Sequence, residues 1–417
     1  MNFEEMMRPE SQMMSLGYQP HLSEGAIKCP IFQTSTFVFN NAEEGKAFFE
    51  LAYGLRESNP NEEMGLIYSR LNNPNLEILE NRLAVWDNAD DCATFISGMA
   101  AISTVFLEFL KPGDLLVYSE PLYGGTEHYI TSYLPSIGID VLAFRPGEEL
   151  TTLEEKIKNT GKSDKLAMIY IETPANPTNV LIDIEACRKV ADSFGNERKT
   201  ILAVDNTYMG PIWQHPLQHG ADLSIYSATK YIGGHSDLIA GAICANKELI
   251  QRIKVQRTFL GNMLSPFTAW LMLRSLETLK IRMERAAKNA EKVNEFLTNH
   301  PKVEKTYYLG NINAEHLDYN TYQKQYSSAG AMISFDVKGG EKEAFTLLNN
   351  LKMIKLAVSL GGTESLAEHP KTMTHSSLPK DLADHLQITD KLVRLSVGIE
   401  HYEDIIADLS QALDKII

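Results

Sequence analysis

The sequence predicts an α/β fold, with a large domain built on a mostly parallel sheet and a smaller C-terminal α+β domain. In the middle of the chain, short continuous apolar runs alternate with helical patterns, which is typical of parallel strands covered by helices on both faces. Polar side chains follow several of these runs directly, at the position where α/β proteins bind ligands. With 417 residues and 44% hydrophobic content, the chain is long enough for two or three domains.

The patterns along the chain divide it into three parts. Residues 1–66 combine turn signals with short extended pieces such as 31–39, and they lack the apolar periodicity of an independent core. We expect an N-terminal arm that packs on another surface, for which a partner subunit is a candidate. Residues 67–264 are the large α/β domain, and residues 265–417 are the C-terminal domain. Within the arm, Tyr53–Met64 carries glycine, proline and glutamates, and it is predicted to be a surface loop.

The large domain is predicted to begin with a helix and to continue with buried strands. Leu76, Leu79, Leu83 and Trp86 repeat with a helical period. The predicted strands are the apolar runs 115–118, 166–171, 201–205, 223–226 and 239–244.

The C-terminal domain is predicted to begin with a long helical region that runs from Ser265-Pro266 toward Leu297. Serine is a preferred N-cap, and proline is favoured at the first helical position. The predicted strands of this domain are 331–336, 356–359 and 392–397.

Charge and composition exclude several classes of partner. The formal net charge of −15 argues against nucleic acids and anionic membranes, since both require clustered positive charge. The N-terminus has no apolar signal segment, and no run approaches the ~20 apolar residues of a membrane span. We expect a cytoplasmic protein. The cysteines Cys29, Cys92, Cys187 and Cys244 lack C-x-x-C spacing, so we expect structural thiols and no metal site.

Candidate functional residues follow the predicted strands. Tyr123 follows the first strand, Glu172 and Asn176 the second, Asp205 ends the third, and Lys230 follows the fourth. Lys230 lies among small hydroxyl residues and glycines, and a lysine becomes a nucleophile or Schiff-base partner when its surroundings lower its pKa. The alternative for this window is a surface lysine in a glycine-containing turn.

Two further segments carry donors suited to a phosphate group. Tyr68 and Arg70 lie just ahead of the first helix of the large domain, and an arginine fork beside a phenol suits a phosphate dianion. Ser97-Gly98-Met99 leads into an apolar helix, whose N-terminus offers free N–H groups. The alternatives are an arginine salt-bridged on a loop and a tight strand-to-helix turn.

An acid that ends one strand and a lysine beyond the next are what pyridoxal phosphate requires of a protein. The aldehyde of the cofactor needs a lysine for a Schiff base, its ring nitrogen needs a carboxylate, and its phosphate needs donors. Lys230 and Asp205 meet the first two needs. Tyr123 is suited to lie flat over the ring, although a core tyrosine before a turn is its alternative.

These residues belong to a series of motifs through which the sequence resembles the Cys/Met-metabolism (trans-sulfuration) family of pyridoxal-phosphate enzymes. That family includes methionine γ-lyase, cystathionine γ-lyase, cystathionine γ-synthase and O-acetylhomoserine sulfhydrylase. The resemblance covers the chain from about residue 17 to the C-terminus. Its motifs, in the order of the family, lie at residues 33–37, 68–70, 97–99, 123–125, 172–177, 205–207, 227–230, 359–362 and 394–398.

The resemblance implies a fold type I, transferase-like architecture with a mostly parallel seven-stranded sheet, and it implies a role for each residue. Lys230 would bind the cofactor covalently and shuttle protons, and Tyr123 would stack on its ring and assist departure of the γ-substituent. Asp205 would pair with the ring nitrogen. The implied phosphate ligands are Gly98, Met99, Ser227 and Thr229.

The resemblance also implies substrate and subunit contacts. Arg394 would bind the substrate α-carboxylate, with Asn176 and Ser359 nearby. Tyr68 and Arg70 would reach the phosphate of the neighbouring subunit's cofactor, so the protein would be at least a dimer, and a homotetramer is expected. The segment Tyr53–Met64 looks longer than is usual in the family, and it is a candidate for reshaping the entrance of the active site.

The side-chain end of the pocket distinguishes the reactions of the family. Val358 stands where cystathionine-handling members resemble one another in carrying a glutamate, and Glu127 and His128 stand where those enzymes typically show an arginine. Against the methionine reading, Gly125 stands where methionine-cleaving members often carry a cysteine.

The resemblance therefore favours γ-elimination on L-methionine, which gives methanethiol, 2-oxobutanoate and ammonia. The alternatives are γ-replacement on O-acetyl- or O-succinylhomoserine, by a sulfhydrylase or a cystathionine γ-synthase, and cleavage of cystathionine. A hypothesis of another class is a pyridoxal-phosphate-binding regulatory protein without turnover.

Overall fold

The structure of the protein is a computed structural model. The structure describes residues 6–57, 59, 65–148, 150–194, 198–376, 378 and 380–416. Half of the loop predicted over Tyr53–Met64, namely residues 58 and 60–64, lies outside these residues.

Residues 67–264, the predicted large domain, contain a seven-stranded sheet, so the predicted α/β class is confirmed. Its strands are β1 (Asp91–Phe95), β2 (Leu115–Ser119), β3 (Asp140–Phe144), β4 (Leu166–Glu172), β5 (Ile201–Asp205), β6 (Leu223–Tyr226) and β7 (Gly241–Ala245). The spatial order is β1-β7-β6-β5-β4-β2-β3. Strands β6, β5, β4, β2 and β3 pair in parallel, whereas β7 is antiparallel to both of its neighbours. The carboxyl ends of β2, β4, β5 and β6 therefore lie on one edge of the sheet.

Two strands of this sheet were missed by the sequence analysis, and one was displaced. Strands β1 and β3 lie at the two edges of the sheet, and all but the last residue of β3 is only partly buried, so its apolar signal is weak. The run predicted at 239–244 begins as a strand only at Gly241. The reason is that the backbone of Ala240 is hydrogen-bonded to Thr229 instead of to a neighbouring strand.

Helices cover both faces of the large sheet. In chain order, these helices are Pro74–Asp87, Gly98–Phe109, Gly124–His128, Leu134–Ser136, Leu150–Asn159, Ile184–Ser193 and Lys247–Leu260. The predicted first helix is confirmed: Asn73 caps it, because its side chain accepts a hydrogen bond from the Asn75 N–H, and Pro74 occupies its first turn. Buried apolar residues from the strands and from most of these helices form separate clusters on the two faces, as expected for a parallel sheet covered on both sides.

The C-terminal part contains a second sheet of five strands. They are β8 (Val303–Tyr307), β9 (Met332–Val337), β10 (Lys355–Leu356), β11 (Leu366–Glu368) and β12 (Leu392–Ser396), in the order β10-β11-β12-β9-β8. The sequence analysis missed β8, which is largely exposed, and β11, which has only three residues. The strand predicted over 356–359 ends at Leu356.

The first helix of the C-terminal part begins where the sequence predicts. The Ser265 side chain accepts a hydrogen bond from the Thr268 N–H, and Pro266 starts the helix, but the predicted long helical region is divided into two helices near Glu277. The helices are Pro266–Leu276, Leu279–Asn299, Tyr319–Gln325, Glu341–Asn350, Lys380–His385 and Tyr402–Leu413. The domain boundary between residues 264 and 265 stays a prediction.

The described part of the N-terminal arm differs from the extended pieces that were expected. It contains the helices Pro9–Ser15 and Ala42–Ala52, and its β-structure is a single bridge between Thr36 and Tyr68. Large apolar side chains of the arm, such as Leu22, Ile27 and Val38, lie exposed. No helix within the described residues is long and apolar enough to cross a bilayer.

Candidate active site

A cavity of ≈ 250 Å³ lies at the carboxyl edge of the large sheet. Eight of the predicted site residues line it, namely Gly98, Met99, Tyr123, Asn176, Asp205, Ser227, Thr229 and Lys230. They come from separate segments of the chain, and the parallel order of β2, β4, β5 and β6 brings them together. Ser359 and Arg394 adjoin this group through direct contacts, whereas Tyr68 and Arg70 do not line the cavity.

Lys230 is partly buried and contacts the C-terminal part of the chain. Its Nζ donates a hydrogen bond of 2.9 Å to Ser359 Oγ. Burial lowers the pKa of Lys230, and the nearby Arg394 cation lowers it further, while Glu368 acts in the opposite direction. A lowered pKa increases the fraction of neutral amine, which is the form that reacts with a carbonyl group.

Asp205 is buried at the end of β5 and is held by a short hydrogen-bond chain. Its Oδ1 accepts bonds from Thr207 N at 3.1 Å and from Thr207 Oγ1 at 2.6 Å. Thr207 Oγ1 in turn accepts a bond from Ser227 N at 2.9 Å. Burial raises the pKa of Asp205, although the bonds from Thr207 act against this. A buried carboxylate of this kind is stabilised by a cationic partner.

Glu172, a candidate functional residue for which the sequence indicated no specific role, connects two loops of the site. Its Oε2 accepts a bond of 2.7 Å from Tyr123 N, and its Oε1 accepts a bond of 3.0 Å from Asn176 N. Burial raises the pKa of Glu172 to about 8, and the neighbouring Asp205 carboxylate contributes to that rise. The carboxyl edge of the sheet therefore carries two buried acids side by side.

Arg394 is buried on β12 with a fixed orientation. Its Nη1 donates to Asn176 Oδ1 at 3.0 Å, and its Nη2 donates to the Ser359 carbonyl oxygen at 2.8 Å. Nη1 also lies 2.8 Å from Glu368 Oε1. The guanidinium thus joins a loop of the large domain to a loop of the C-terminal part.

Ser359 has a strained backbone, with a φ angle of 108°. For a non-glycine residue this conformation costs on the order of 1–3 kcal/mol, and such residues cluster at active sites. It also explains why the strand predicted over 356–359 ends early. The conformation allows Ser359 to contact Lys230 through its hydroxyl and Arg394 through its carbonyl group at the same time.

The turn at Gly98 forms an anion cradle beside Ser227. Ser97 caps the helix Gly98–Phe109 by accepting a bond from Ala100 N, and Ser97, Gly98 and Met99 line the cavity, so the N-terminus of this helix borders it. A side chain at residue 98 would crowd Ser227, because an added Cβ would lie 3.0 Å from Ser227 Cβ. Thr229 is fixed nearby by its bonds to Ala240.

The donor set of the cavity fits pyridoxal phosphate. It offers an amine at Lys230, a buried carboxylate at Asp205 and the cradle at Gly98. The hydroxyl of Tyr208, which also lines the cavity, is buried without a hydrogen-bond partner among the described residues. An unpaired buried hydroxyl is costly, and a polar group of a ligand in the cavity would satisfy it. Tyr123 is 47% exposed and lines the same cavity, as a ring-stacking residue would.

Tyr68 and Arg70 lie together outside the cavity. The Arg70 guanidinium carbon is 5.8 Å from the centre of the Tyr68 ring, and Arg70 Nη1 donates to the Thr258 carbonyl oxygen at 3.1 Å. Tyr68 is 41% exposed. Their predicted contact with the cofactor of a neighbouring subunit stays a prediction.

Three residues of the site region had little signal in the sequence. Thr207 follows Asp205 by two positions, and this short spacing is typical of a side chain that bonds the acid. Tyr208 and Glu368 carried no such local signal, because their roles depend on contacts with distant segments.

The fold and the cavity define a pyridoxal-phosphate-dependent enzyme of the α/β class. Residues 10–414 match the family described as Cys/Met metabolism PLP-dependent enzyme, so the chain belongs to that family, as the motifs predicted. Pyridoxal 5'-phosphate is its cofactor.

Relatives cover nearly the whole chain. It is 44% identical over 394 residues to an L-methionine γ-lyase of Fusobacterium nucleatum subsp. polymorphum, covering 94% of each chain. It is 40% identical over 364 residues to the human cystathionine γ-lyase, covering 87% of each. Among solved structures, it is similar to a cystathionine γ-lyase of Lactobacillus plantarum in complex with L-serine, with a TM-score of 0.85, 33% identity and coverage of 98% and 99% of the two chains.

Proposed function

We propose that this PLP-dependent carbon–sulfur lyase converts L-methionine and water into methanethiol, 2-oxobutanoate and ammonia. The observation that carries the proposal is the similarity to several proteins named L-methionine γ-lyase, at 41–44% identity over 94% of the chain. The character of the pocket agrees with it. Ile239 and Leu360 line the cavity, and Val358 lies exposed beside Ser359, which suits an uncharged thioether.

The cofactor supplies an aldehyde that takes up the substrate amine and a ring that withdraws electrons from the substrate carbons. In the proposal, the cradle of Gly98, Met99, Ser227 and Thr229 holds its phosphate. The Asp205 carboxylate keeps the ring nitrogen protonated, because a cation at this position offsets the cost of burying the acid. Tyr123 covers the face of the ring.

Lys230 and Tyr123 are the proton carriers of the proposed mechanism. The Lys230 amine, whose pKa is lowered by burial, accepts the proton from the substrate α-carbon and then moves protons at the neighbouring carbons. The Tyr123 hydroxyl delivers a proton to the departing sulfur. General acid–base steps of this kind contribute about 10²–10⁴-fold each to the rate.

Arg394 binds the substrate α-carboxylate in the proposal. Its guanidinium is fixed by Asn176 and by the Ser359 carbonyl oxygen, and a fixed guanidinium fork recognises a carboxylate through two parallel hydrogen bonds. The same Ser359 contacts Lys230 through its hydroxyl. The carboxylate and the α-proton of the substrate are thereby placed relative to each other.

The proposal extends to the assembly and the location of the protein. The protein is proposed to act as a homotetramer built from dimers, in which Tyr68 and Arg70 of one subunit contact the cofactor phosphate of the next. The exposed apolar side chains of the arm support such a subunit contact. A location in the cytoplasm agrees with four buried free cysteines.

Cleavage of cystathionine is the second candidate function, since the human relative is named cystathionine γ-lyase. γ-Replacement on an O-acylated homoserine is a third. The deciding experiment measures 2-oxobutanoate, methanethiol and γ-substituted products from purified PLP-loaded protein. The substrates are L-methionine, L-cystathionine, and O-acetylhomoserine with sulfide.

We expect kcat/KM for methionine to exceed the other values by about tenfold, the discrimination available from a pocket that does not pair a distal charge. A higher kcat/KM for cystathionine would replace the methionine proposal. Absence of any 2-oxo acid or replacement product, with the cofactor bound, would support the regulatory protein instead.

A further inference from the structure

Glu368 and Arg394 are direct partners across two adjacent strands. Strand β11 pairs with β12 in antiparallel register, with Glu368 opposite Arg394. Residues opposite each other in this way project their side chains from the same face of the sheet. Glu368 is fully buried and Arg394 is 3% exposed, so the ion pair between them is shielded from water.

The contacts of Glu368 are concentrated on one carboxylate oxygen. Its Oε1 lies 2.8 Å from Arg394 Nη1 and accepts a bond of 2.8 Å from Thr374 Oγ1. Its Oε2 has no hydrogen-bond partner among the described residues. Thr374 therefore fixes the carboxylate, and the carboxylate fixes one end of the guanidinium.

The other contacts of Arg394 determine which of its donors stay available. An arginine side chain carries five N–H donors. Within the described residues, Nη1 donates to Asn176 Oδ1 and forms an ion pair with Glu368 Oε1, and Nη2 donates to the Ser359 carbonyl oxygen. The Nε–H and the second Nη2–H form the edge that stays open to a carboxylate.

We propose that Glu368 is a positioning residue that holds the Arg394 guanidinium by its Nη1 end and so presents the Nε–Nη2 edge to the substrate α-carboxylate. The inference rests on the carboxylate-binding role proposed for Arg394. Glu368 does not touch the substrate in this arrangement. It acts by restricting rotation of the guanidinium, which is the general means by which an orienting contact improves recognition of a planar group.

The test compares a ligand that carries an α-carboxylate with one that lacks it. L-Norleucine resembles methionine but has no γ leaving group, and pentylamine is norleucine without its carboxylate. Affinities of the PLP-loaded protein for both are measured by absorbance titration of the cofactor, so the readout does not depend on turnover. The variants are Glu368→Ala, Glu368→Gln and Glu368→Asp.

In Glu368→Ala, we expect norleucine affinity to fall at least about tenfold and pentylamine affinity to change less than about twofold, because the buried charged contact that holds the guanidinium is lost. Glu368→Gln keeps an acceptor oxygen for Arg394 and should stay within about threefold of wild type. Glu368→Asp withdraws the carboxylate by one methylene, and it should weaken norleucine binding by about three- to tenfold. With methionine, Glu368→Ala should raise KM more than it lowers kcat.

Asp222→Ala is the matched control. Asp222 forms a comparable ion pair, 2.9 Å from Arg188 Nη1, but it precedes β6 at the opposite edge of the sheet. The Asp222→Ala variant should have a lower thermal midpoint of unfolding but the wild-type ratio of norleucine to pentylamine affinity.

Four results would overturn the proposal. Equal losses of affinity for norleucine and pentylamine in Glu368→Ala would indicate a merely structural role. A wild-type ratio of the two affinities in Glu368→Asp would show that Glu368 does not orient the Arg394 guanidinium. A loss of norleucine affinity in Glu368→Gln as large as that in Glu368→Ala would also exclude the positioning role. If wild-type protein does not prefer norleucine to pentylamine, the role of Arg394 fails together with that of Glu368. That outcome differs from the others, in which wild type discriminates.

Discussion

Glu80 and Glu172 are both buried in the large domain, and both contact strands of the same sheet, but their electrostatic surroundings are opposite. Glu80 is surrounded by cations: Arg257 Nη1 lies 2.6 Å from its Oε1, and Lys254 Nζ lies 3.2 Å from its Oε2. Burial alone would raise the pKa of Glu80, but these cations and the hydrogen bond from Thr94 lower it to about 2. For Glu172, burial and the Asp205 carboxylate raise the pKa to about 8.

The difference distinguishes Glu80, which stabilises the fold, from Glu172, which belongs to the candidate active site. Near Glu172, the excess of acid extends to Glu127, whose pKa burial and the neighbouring Glu120 raise to about 7. An uncompensated acidic region is costly in the protein alone, and a bound cation offsets the cost. The ring nitrogen of the cofactor, paired with Asp205, is that cation in our account.

The largest effect on stability is expected from removing Glu80, whose charge is balanced by Arg257 and Lys254. Glu80→Ala leaves Arg257 and Lys254 without their buried partner, which costs about 3–5 kcal/mol of unfolding free energy. Chemical denaturation measures this loss. The kcat and KM of the protein that remains folded should equal those of wild type. A fall in kcat/KM at unchanged stability would contradict the assignment of Glu80 to the fold.

Asp205→Asn should lower activity and leave stability intact, the reverse of Glu80→Ala. The amide keeps an oxygen for Thr207 but cannot stabilise a protonated ring nitrogen, so kcat should fall at least about 100-fold, as when one electrostatic contact to a developing charge is removed. The thermal midpoint of the apoprotein should stay the same or rise, because a buried charge is removed. A wild-type kcat in this variant would show that Asp205 does not contact the cofactor ring.

The two glutamates should also give opposite dependences of stability on pH. The pKa of Glu80 lies below its ordinary value of 4.5, so its stabilisation is present above that pH and is lost as pH falls toward 2. The pKa of Glu172 lies above 4.5, so its contribution is present below that pH and is lost as pH rises through about 8.

In the apoprotein, Glu172→Gln should therefore flatten the decline of stability between pH 4.5 and 8. A single group contributes up to about 1.4 kcal/mol per pH unit to this slope. Urea denaturation of both proteins across this range measures the slope. An unchanged slope in Glu172→Gln would mean that another group titrates.

A smaller effect is expected at Gly125, next to the acidic region. A Cβ added at this residue would lie 2.6 Å from Tyr123 Cε1, so Gly125→Ala must displace the Tyr123 ring. We expect kcat for γ-elimination to fall about three- to tenfold, since small displacements of a catalytic group reduce the rate. Ser132→Ala, at an exposed position of the helical turn Tyr129–Tyr133 that follows, is the control and should leave kcat unchanged.

The sequence was sufficient for those parts of the site that depend on local pattern. Lys230 and Asp205 follow buried apolar runs, and the parallel order of these runs places both at one edge of the sheet. Gly98 was identifiable because a serine–glycine turn precedes an apolar helix. The central strands were predicted to within one or two residues at most of their ends for the same reason: both of their faces are buried.

The parts of the fold and of the site that the sequence did not predict depend on contacts between distant segments of the chain. Glu368 meets Arg394 only because β11 and β12 pair in a particular register, and β11 is too short to be recognised. The strain at Ser359 arises from simultaneous contacts with Lys230 and Arg394, so the sequence around Val358 still reads as a strand. Edge strands such as β3 and β8 expose one side and lose the apolar signal.

Covalent attachment of the cofactor is the most direct test of the central claim, which is that the acidic edge of the sheet around Lys230 is the pyridoxal-phosphate site. Purified protein is saturated with the cofactor, the carbon–nitrogen link is reduced with borohydride, and the modified residue is found by peptide mass mapping. Our account predicts modification of Lys230, with none at that peptide in Lys230→Ala. Stoichiometric modification of a different lysine in wild-type protein would contradict it.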